Sequence, residues 1–303
     1  MSEISAITIG ATKEEGGSRS YNIKIGGENT LPCLFKEGVI PNKPQIAFEV
    51  WDILPSDWPV ELTKEYGKAL NDPFIWAEKC VKEFKAKSLC IRLQGAHPDS
   101  LNKSPEEETE FIKDLLSRVS VPLVILGCGD DSKDKLLLSA CSVAAKGEKC
   151  LIGNATQDNY KTIAVSASSD GHSVIAESPI DVNIAKQLNI LISDTGLPLE
   201  RIAINPTIGA LGYGLEYAYS IMERARLAAL SGDKTLASPF VCFVGQEAWR
   251  AKEAKVEDSN QGIMWEVLTA TALIQAGADL LIMRHPKAIE KVSKYIDNLF
   301  KGE

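Results

Sequence analysis

Residues 202–229, IAINPTIGALGYGLEYAYSIMERARLAA, contain a short apolar strand, a loop with three glycines and a strong helix. The strand ends at Asn205, and the loop carries Gly209, Gly212 and Gly214. Apolar residues then recur at helical spacing at Leu215, Ala218, Met222, Ala225 and Ala229. This order predicts a βα unit whose loop faces a ligand, because glycine lets backbone approach a partner closely. The alternative is a connector whose glycines only satisfy turn geometry.

Outward from this stretch, apolar strands alternate with helices from Gln45 to the end of the chain. The predicted strands lie at residues 46–50, 88–93, 122–126, 150–154, 173–177, 202–205, 240–244 and 280–283. Most are continuous apolar runs, as expected when both faces of a parallel sheet are covered. Eight strand–helix units predict an α/β fold of the (β/α)8 TIM barrel type. A doubly wound open sheet is the alternative, but it usually has a glycine-rich turn after its first strand. Residues 51–54, WDIL, have no glycine.

The positions of two helices, near residues 160–170 and after residue 178, do not follow from hydrophobic periodicity alone. Residues 162–166, TIAVS, include three β-branched residues and would suit a strand. Helical spacing across residues 160–167 and a stop signal at Gly171 favour a helix instead, with the next strand at 173–177. Ser178 and Pro179 are predicted to open the following helix.

Residues 1–45 differ from the remainder of the chain. Segments 6–10 and 21–25 alternate like two strands, and the polar segment between them contains Gly16 and Gly17. Prolines then mark an extended connector. We therefore expect a β-hairpin extension and connector over residues 1–45, followed by the barrel over residues 46–303.

The composition is ordinary for a soluble globular protein, with 45% hydrophobic and 24% charged residues. The net charge is −8, and no run of Lys or Arg stands out, which argues against nucleic acid and anionic membrane as partners. The sequence starts without the basic and apolar regions of a signal peptide, and no apolar run reaches the roughly 18 residues of a span. These features predict a cytoplasmic protein.

Seven cysteines are scattered along the chain without a Cys-x-x-Cys spacing. A disulfide framework and a zinc or iron–sulfur site are therefore not expected. We interpret the cysteines as reduced, buried small hydrophobes, with Cys128 in a glycine turn as the first exception to consider. They are Cys33, Cys80, Cys90, Cys128, Cys141, Cys150 and Cys242.

Ligands of such a barrel bind at the C-terminal ends of the strands. The residues predicted there are richer in amides than in acids or bases, and Asn154 and Asn205 both end apolar strands. An Asn at this position can bind a ligand or cap the next helix, and both interpretations stay open. Further residues predicted at this end are His97, Cys128, Glu177, Gly245, Gln246, Arg284 and His285.

Little in this set indicates catalysis. No lysine ends a strand, which argues against a Schiff-base enzyme. Glu177 is a possible acid or base but has no obvious paired carboxylate. His97 and His285 are either site residues or caps, and His172 is predicted at the opposite end of the barrel, so no metal cluster is expected. We therefore predict a neutral, hydrogen-bonding mouth with no catalytic or metal-binding residue.

Several long segments then resemble one family, in the right order and over most of residues 46–303. They are LNDPFIWAEKCV (70–81), LGCG (126–129), LIGNATQDNYK (151–161), SPIDVNIAKQLNILI (178–192), NPTIGALGYGLEYAYSIMERARLAAL (205–230), GQEAWRAKEA (245–254) and LIMRHP (281–286). GATKEEGGSRSYNIKIGG (10–27) also looks like the start of that family. The chain resembles the small subunits of corrinoid/iron–sulfur proteins, the acetyl-CoA decarbonylase/synthase delta-subunit family.

The resemblance implies a (β/α)8 barrel that pairs with a larger subunit in a heterodimeric methyl carrier of the anaerobic, carbon-fixing acetyl-CoA pathway. The large subunit would hold a [4Fe–4S] cluster and most of a cobamide, whose cobalt accepts methyl from a methyltetrahydrofolate:corrinoid methyltransferase and passes it to acetyl-CoA synthase/CO dehydrogenase. Residues 170–175, DGHSVI, begin like a corrinoid-binding motif but do not complete it. The barrel is therefore expected to cover the shared cobamide, not to hold it alone. The expected contacts are Asn154, Asn205, Gly209, Gly212, Tyr213, Gly214, Gly245, Gln246 and Arg284.

Two other functions stay open. The family also resembles pterin-binding methyltransferase barrels, in which a strand-four Asn corresponds to Asn154 and an acidic residue ends strand six. Here Asn205 occupies that end, and an amide cannot replace the carboxylate partner of a pterin ring nitrogen. The third possibility is a purely structural subunit, which predicts that Asn154, Asn205 and the 209–214 loop tolerate replacement.

Overall fold

Ten strands form two sheets in the part of the chain that the computed structural model describes, residues 2–31, 37–256 and 259–300. The strands are β1 (Ile7–Ile9), β2 (Ile23–Ile25), β3 (Gln45–Trp51), β4 (Leu89–Arg92), β5 (Leu123–Leu126), β6 (Leu151–Ala155), β7 (Ser173–Glu177), β8 (Ile202–Asn205), β9 (Phe240–Cys242) and β10 (Ala278–Met283). Strands β3 to β10 pair in parallel in sequence order, and β10 closes on β3. The predicted TIM barrel is confirmed, and the open doubly wound sheet is excluded.

Helices cover the outside of the barrel and connect successive strands. They are α1 (Val60–Thr63), α2 (Pro73–Lys82), α3 (Pro105–Arg118), α4 (Asp131–Ala144), α5 (Tyr160–Asp170), α6 (Val182–Asp194), α7 (Leu215–Leu230), α8 (Val244–Ala248), α9 (Ser259–Ala276) and α10 (Pro286–Leu299). The ambiguous segment around residues 162–166 is helical, as predicted, and Gly171 caps it in a left-handed conformation. Among the described helices, none has the length and apolar character needed to cross a membrane.

Two predicted boundaries were wrong. Helix α6 begins at Val182, not at Ser178, because the Asp181 side chain caps it. The Ser178 N–H instead donates to the Asn205 carbonyl at 2.9 Å and ties the loops after β7 and β8 together. Strand β9 ends at Cys242, and Val244 already belongs to the short helix α8.

The N-terminal pair of strands closes the bottom of the barrel. Strands β1 and β2 pair antiparallel, which confirms the predicted hairpin extension. Their four isoleucines pack against the apolar side chains that fill the lower barrel interior. The Gly10 N–H donates to the carbonyl of Lys149 at 2.9 Å, just before β6. The Ser20 N–H donates to the carbonyl of Ser120 at 2.8 Å, just before β5. The extension thus covers the N-terminal ends of the strands and leaves the opposite end open.

Buried ion pairs fix this extension to the barrel. Arg226 of α7 is fully buried and contacts Glu28, just after β2, and Asp279 of β10, the latter at 2.9 Å. Burial raises the pKa of Glu28, and the Arg226 charge only partly offsets that rise. On the other side, Arg19 pairs with Glu148 at 2.8 Å.

Side chains inside the barrel change from apolar to polar toward the C-terminal strand ends. Residues two apart on a strand face the same side, so each apolar interior residue is followed by a second interior position. That second position is polar on four strands and again one residue past the end of β10. The pairs are Ala47 and Glu49, Cys90 and Arg92, Ile175 and Glu177, Ala203 and Asn205, and Ile282 and Arg284.

The described cysteines are buried and free of disulfides, in agreement with the prediction, and Cys33 lies outside the described residues. His172 sits at the bottom of the barrel, where its Nδ1 accepts from the Cys150 N–H at 3.0 Å. Its role there is structural, because the imidazole is fully buried between backbone groups.

Candidate functional site

The C-terminal strand ends open into a cleft of about 600 Å3. This volume lies within the range of small-ligand pockets, roughly 300–1,000 Å3. The predicted residues Asn154, Asn205, Gln246 and Arg284 line the cleft, as do Glu177, His97 and Cys128. The structure therefore brings together side chains from strands on all sides of the barrel.

A buried carboxylate, Glu49, organises one half of this mouth. Its Oε1 accepts from Arg92 Nε at 2.8 Å, Arg284 Nη2 at 3.0 Å and Trp51 Nε1 at 2.8 Å. Its Oε2 accepts from Arg284 Nε at 2.7 Å. Burial alone would raise the pKa of this carboxyl, but the two guanidinium groups more than offset it and hold the pKa well below its usual range. Glu49 is therefore a permanent anion that fixes both arginines.

The two arginines each keep one nitrogen available to the cleft. Arg92 donates through Nη2 to Gln246 Oε1 at 2.8 Å, and Arg284 lies 4.7 Å above the ring of Trp58. Within residues 2–31, 37–256 and 259–300, the Nη1 atoms of Arg92 and Arg284 have no hydrogen-bond partner. One carboxylate thus holds two guanidinium groups, so these three side chains together carry one positive charge.

The opposite half of the mouth is built on Glu177. Asn154 and Asn205 both donate to its Oε2, the second at 3.0 Å. Burial raises the pKa of Glu177, and the Arg92 charge across the cleft partly offsets the rise. Glu177 Oε1 accepts no hydrogen bond from the described residues, and Asn154 Oδ1 is buried without a partner there. Glu177 Oε1 therefore remains as an acceptor for a ligand, whereas Asn154 Oδ1 is enclosed by the protein.

The prediction of a neutral mouth was therefore wrong. Glu49 and Arg92 were missed because they sit inside strands that were interpreted as apolar runs. The two-residue spacing from Ala47 and Cys90 would have placed both on the interior face. The mouth is polarised, with a basic half on β3, β4 and β10 and a half of one carboxyl and two amides on β6, β7 and β8.

The two histidines near the mouth differ. His97 lines the cleft, and its Nδ1 accepts from the Asp99 N–H at 3.1 Å. His285 is buried, and its Nδ1 caps α10 by accepting from the Lys287 N–H at 3.1 Å. Burial lowers the pKa of His285 to about 4, so it is a neutral capping residue.

Cys128 lies in a loop held by one carboxylate. Asp134 Oδ1 accepts from the Cys128 N–H at 2.8 Å, and its Oδ2 accepts from the Gly129 N–H at 3.1 Å. Burial and the Asp134 charge raise the pKa of the Cys128 thiol to about 12. The thiol is therefore protonated at neutral pH and is not a nucleophile.

The loop after β8 lines the cleft at Thr207 and Ile208, but its glycine-containing part, residues 209–214, folds against α9 and is not in the cleft lining. Trp265 Nε1 donates to the Leu211 carbonyl at 3.0 Å, and the Tyr213 hydroxyl donates to Glu253 at 2.9 Å. A Cβ on Gly209 would lie 2.3 Å from the Tyr213 carbonyl oxygen, so this glycine permits a close approach within the loop itself.

The remaining predicted glycines have other neighbours. Gly212 and Gly214 have φ values of +77° and +97°, and open space surrounds the Cβ position of Gly212. Gly245 on α8 is buried, and its Cβ would lie 2.6 Å from Arg284 Cγ, so it lets α8 pack directly behind that arginine. Contact of the loop glycines, Tyr213 and Gly245 with a cofactor or partner stays a prediction.

The described side chains of this mouth provide hydrogen-bond donors and acceptors but no metal cage. Among the described residues, no three His, Cys, Asp or Glu side chains approach closely enough to hold a metal ion. The fold and the mouth thus define a (β/α)8 barrel with an open, polarised site at its C-terminal end.

Comparison with known protein families identifies the family to which this barrel belongs. The family model described as CO dehydrogenase/acetyl-CoA synthase delta subunit matches residues 6–295. The chain is 34% identical, over 98% of its own length and 71% of the relative, to the acetyl-CoA decarbonylase/synthase complex subunit delta of Methanosarcina mazei. It is 36% identical, over 95% of its length and 73% of the relative, to the subunit of the same name from Methanothermobacter thermautotrophicus. The chain belongs to this delta-subunit family.

Similarity to solved structures supports the assignment of the fold and nothing further. Dihydropteroate synthase from Xanthomonas albilineans matches with a TM-score of 0.60 and 16% identity over 90% of this chain and 99% of that chain. The Thermus thermophilus enzyme matches with a TM-score of 0.58 and 14% identity over 90% of this chain and 100% of that chain. Both comparisons agree with the TIM barrel.

Proposed function

We propose that this chain is the small subunit of a heterodimeric corrinoid methyl carrier and covers a cobamide held mainly by a larger partner subunit. The observation that carries the proposal is a polarised, hydrogen-bonding mouth in a member of the delta-subunit family. When bound, the cobamide would supply a cobalt atom that carries the methyl group. The chain itself would supply a dry, hydrogen-bonding cover that keeps water from the reactive metal.

The groups of the mouth fit a cover better than a complete binding pocket. A cleft of about 600 Å3 is too small to enclose a cobamide but can admit groups from the edge of its ring. Glu177 Oε1 and the Nη1 atoms of Arg92 and Arg284 can bind such groups. The [4Fe–4S] cluster, the methyltetrahydrofolate:corrinoid methyltransferase and the acetyl-CoA synthase belong to partner proteins in this proposal.

The test compares the large subunit alone with the complete heterodimer. We expect that adding this chain slows cobamide loss and lengthens the lifetime of Co(I), because the barrel mouth shields the metal. Cobalt content after gel filtration and the decay of the Co(I) absorption measure both effects. Unchanged cobamide affinity and unchanged Co(I) lifetime would refute the proposal.

A second candidate function is direct binding of a methylated pterin. It is favoured by one contact that the sequence did not reveal, since Asn205 Nδ2 donates to the Glu177 carboxyl at 3.0 Å. A carboxyl therefore does lie beside the end of β8, although β7 provides it. Titration with methyltetrahydrofolate decides this point. Saturable binding at micromolar concentrations supports a pterin site, and its absence leaves the covering role.

A further inference from the structure

The two halves of the mouth present complementary hydrogen-bonding groups to the same space. On one side Glu177 offers Oε1 as an acceptor, because Asn154 and Asn205 both occupy Oε2. On the other side Arg92 offers Nη1 as a donor, because Glu49 and Gln246 engage Nε and Nη2. Both side chains line the cleft, and the Arg92 charge acts on the Glu177 carboxyl.

Neither side chain is free to turn away from the cleft. Glu177 is held by two amides from neighbouring strands, and Arg92 by a carboxylate that has no solvent exposure. Arg92 also packs over the ring of Phe243 at 5.7 Å. A held acceptor and a held donor that line one cleft suit a ligand group that carries both an N–H and a C=O.

We propose that the Glu177–Arg92 pair binds a primary carboxamide, with its N–H donating to Glu177 Oε1 and its C=O accepting from Arg92 Nη1. A carboxylate or an ester has no hydrogen to donate to an ionised Glu177, and an alkyl group can neither donate nor accept, so none of them satisfies both partners. This inference rests on the proposed function and deepens it, because a corrin ring carries primary carboxamides on short arms around its periphery. One such arm enters the cleft while the ring lies across the mouth.

The experiment uses the complete heterodimer and three kinds of cobamide. The first is the parent cobamide, and the second is a set in which one peripheral carboxamide has been hydrolysed to a carboxylate. In the third set the same carboxamide is N,N-dimethylated, which removes both N–H donors without adding charge. Dissociation constants are measured for the wild type, for Glu177→Gln and for a control, Glu110→Gln. Glu110 on α3 has a side chain that is 71% exposed and lies outside the lining of the cleft, so the control makes the same substitution away from the site.

We expect at least one carboxylate analogue and its dimethylamide counterpart to bind wild type about tenfold or more weakly than the parent, because a buried charged partner is left unsatisfied. Glu177→Gln should reduce the penalty on the carboxylate analogue to within about threefold, since Gln can donate to it. Glu110→Gln should keep the wild-type ratio, because an exposed carboxylate outside the cleft is screened by water.

Three results overturn the inference. The first is equal binding of every analogue by the wild type. The second is a penalty for the carboxylate analogue that is the same in Glu177→Gln as in the wild type. The third is that adding this chain does not slow the loss of the parent cobamide, which refutes the covering role itself and is seen before any analogue is used. If Glu177→Gln does not fold, the dimethylamide measurement on the wild type decides the question.

Discussion

Glu49→Gln tests whether one buried carboxylate holds the basic half of the mouth. The wild-type carboxylate accepts four hydrogen bonds from Trp51, Arg92 and Arg284. A glutamine whose oxygen takes the place of Oε1 keeps the three hydrogen bonds that this atom accepts. The fourth is lost, because the glutamine NH2 group and Arg284 Nε are both donors. The larger effect is the lost charge, which leaves two buried guanidinium groups without a counterion. Breaking a buried ion pair in this way costs about 3–5 kcal/mol.

Urea unfolding followed by circular dichroism measures this loss as a lower midpoint of the first cooperative transition. The matched control is Glu290→Gln on α10, where the side chain is 64% exposed and pairs only with Lys294. An exposed pair contributes at most about 1 kcal/mol, so the control should stay close to the wild type. If Glu49→Gln costs less than about 1 kcal/mol, or no more than the control, the ion pairs do not stabilise the mouth as argued.

The pH dependence of the same pair of proteins gives a second check. The pKa of Glu49 is held below its usual range in the folded state, so its contribution is fully present above the unfolded pKa, about 4.3. The contribution is lost as the pH falls below that value, because the unfolded chain then binds the proton first. The stability difference between wild type and Glu49→Gln should be constant from pH 7 to pH 5 and should shrink below about pH 4. A difference that grows on acidification would contradict the assignment.

Three further predictions concern other parts of the chain. Arg226→Met removes the cation between Glu28 and Asp279, so the free energy of unfolding should fall by about 3–5 kcal/mol and the N-terminal extension should become sensitive to proteolysis. Lys24→Met, at an exposed position on β2, should change neither. Gly209→Ala should destabilise the protein more than Gly212→Ala in thermal unfolding, because only the first Cβ meets backbone, although both lose stability; equal losses would contradict the loop geometry. Native protein should react with a thiol reagent at the described cysteines only after unfolding, because they are buried, and rapid modification of any of them in the folded state would be inconsistent with the fold.

The N-terminal extension and the barrel differ in how much of their structure the sequence reveals. Local periodicity and punctuation predicted the hairpin, the eight barrel strands and the helix at 160–170, because each depends on neighbours along the chain. The start of α6 depended on a contact across strands, between Ser178 and the Asn205 carbonyl, and was therefore misplaced.

At the mouth, too, some features follow from the local sequence and others only from tertiary contacts. Sequence alone placed Asn154, Asn205 and Arg284 at strand ends, since each follows an apolar run, but it placed Gln246 there too, and that residue lies on α8. It also led to the family, through long segments in order, which the family comparison confirmed.

Only the tertiary structure decided the electrostatics of the barrel mouth. Glu49 and Arg92 lie 43 residues apart along the chain, and Glu49 and Arg284 lie 235 apart, so no local pattern pairs them. Barrel closure sets β10 beside β3 and brings Arg284 onto Glu49, while the pairing of β3 with β4 brings Arg92 there. The pairing of β7 with β8 sets Asn205 against Glu177, and the glycine loop after β8 packs on α9. Charges and hydrogen bonds depend on distance in space, and the tertiary fold sets that distance.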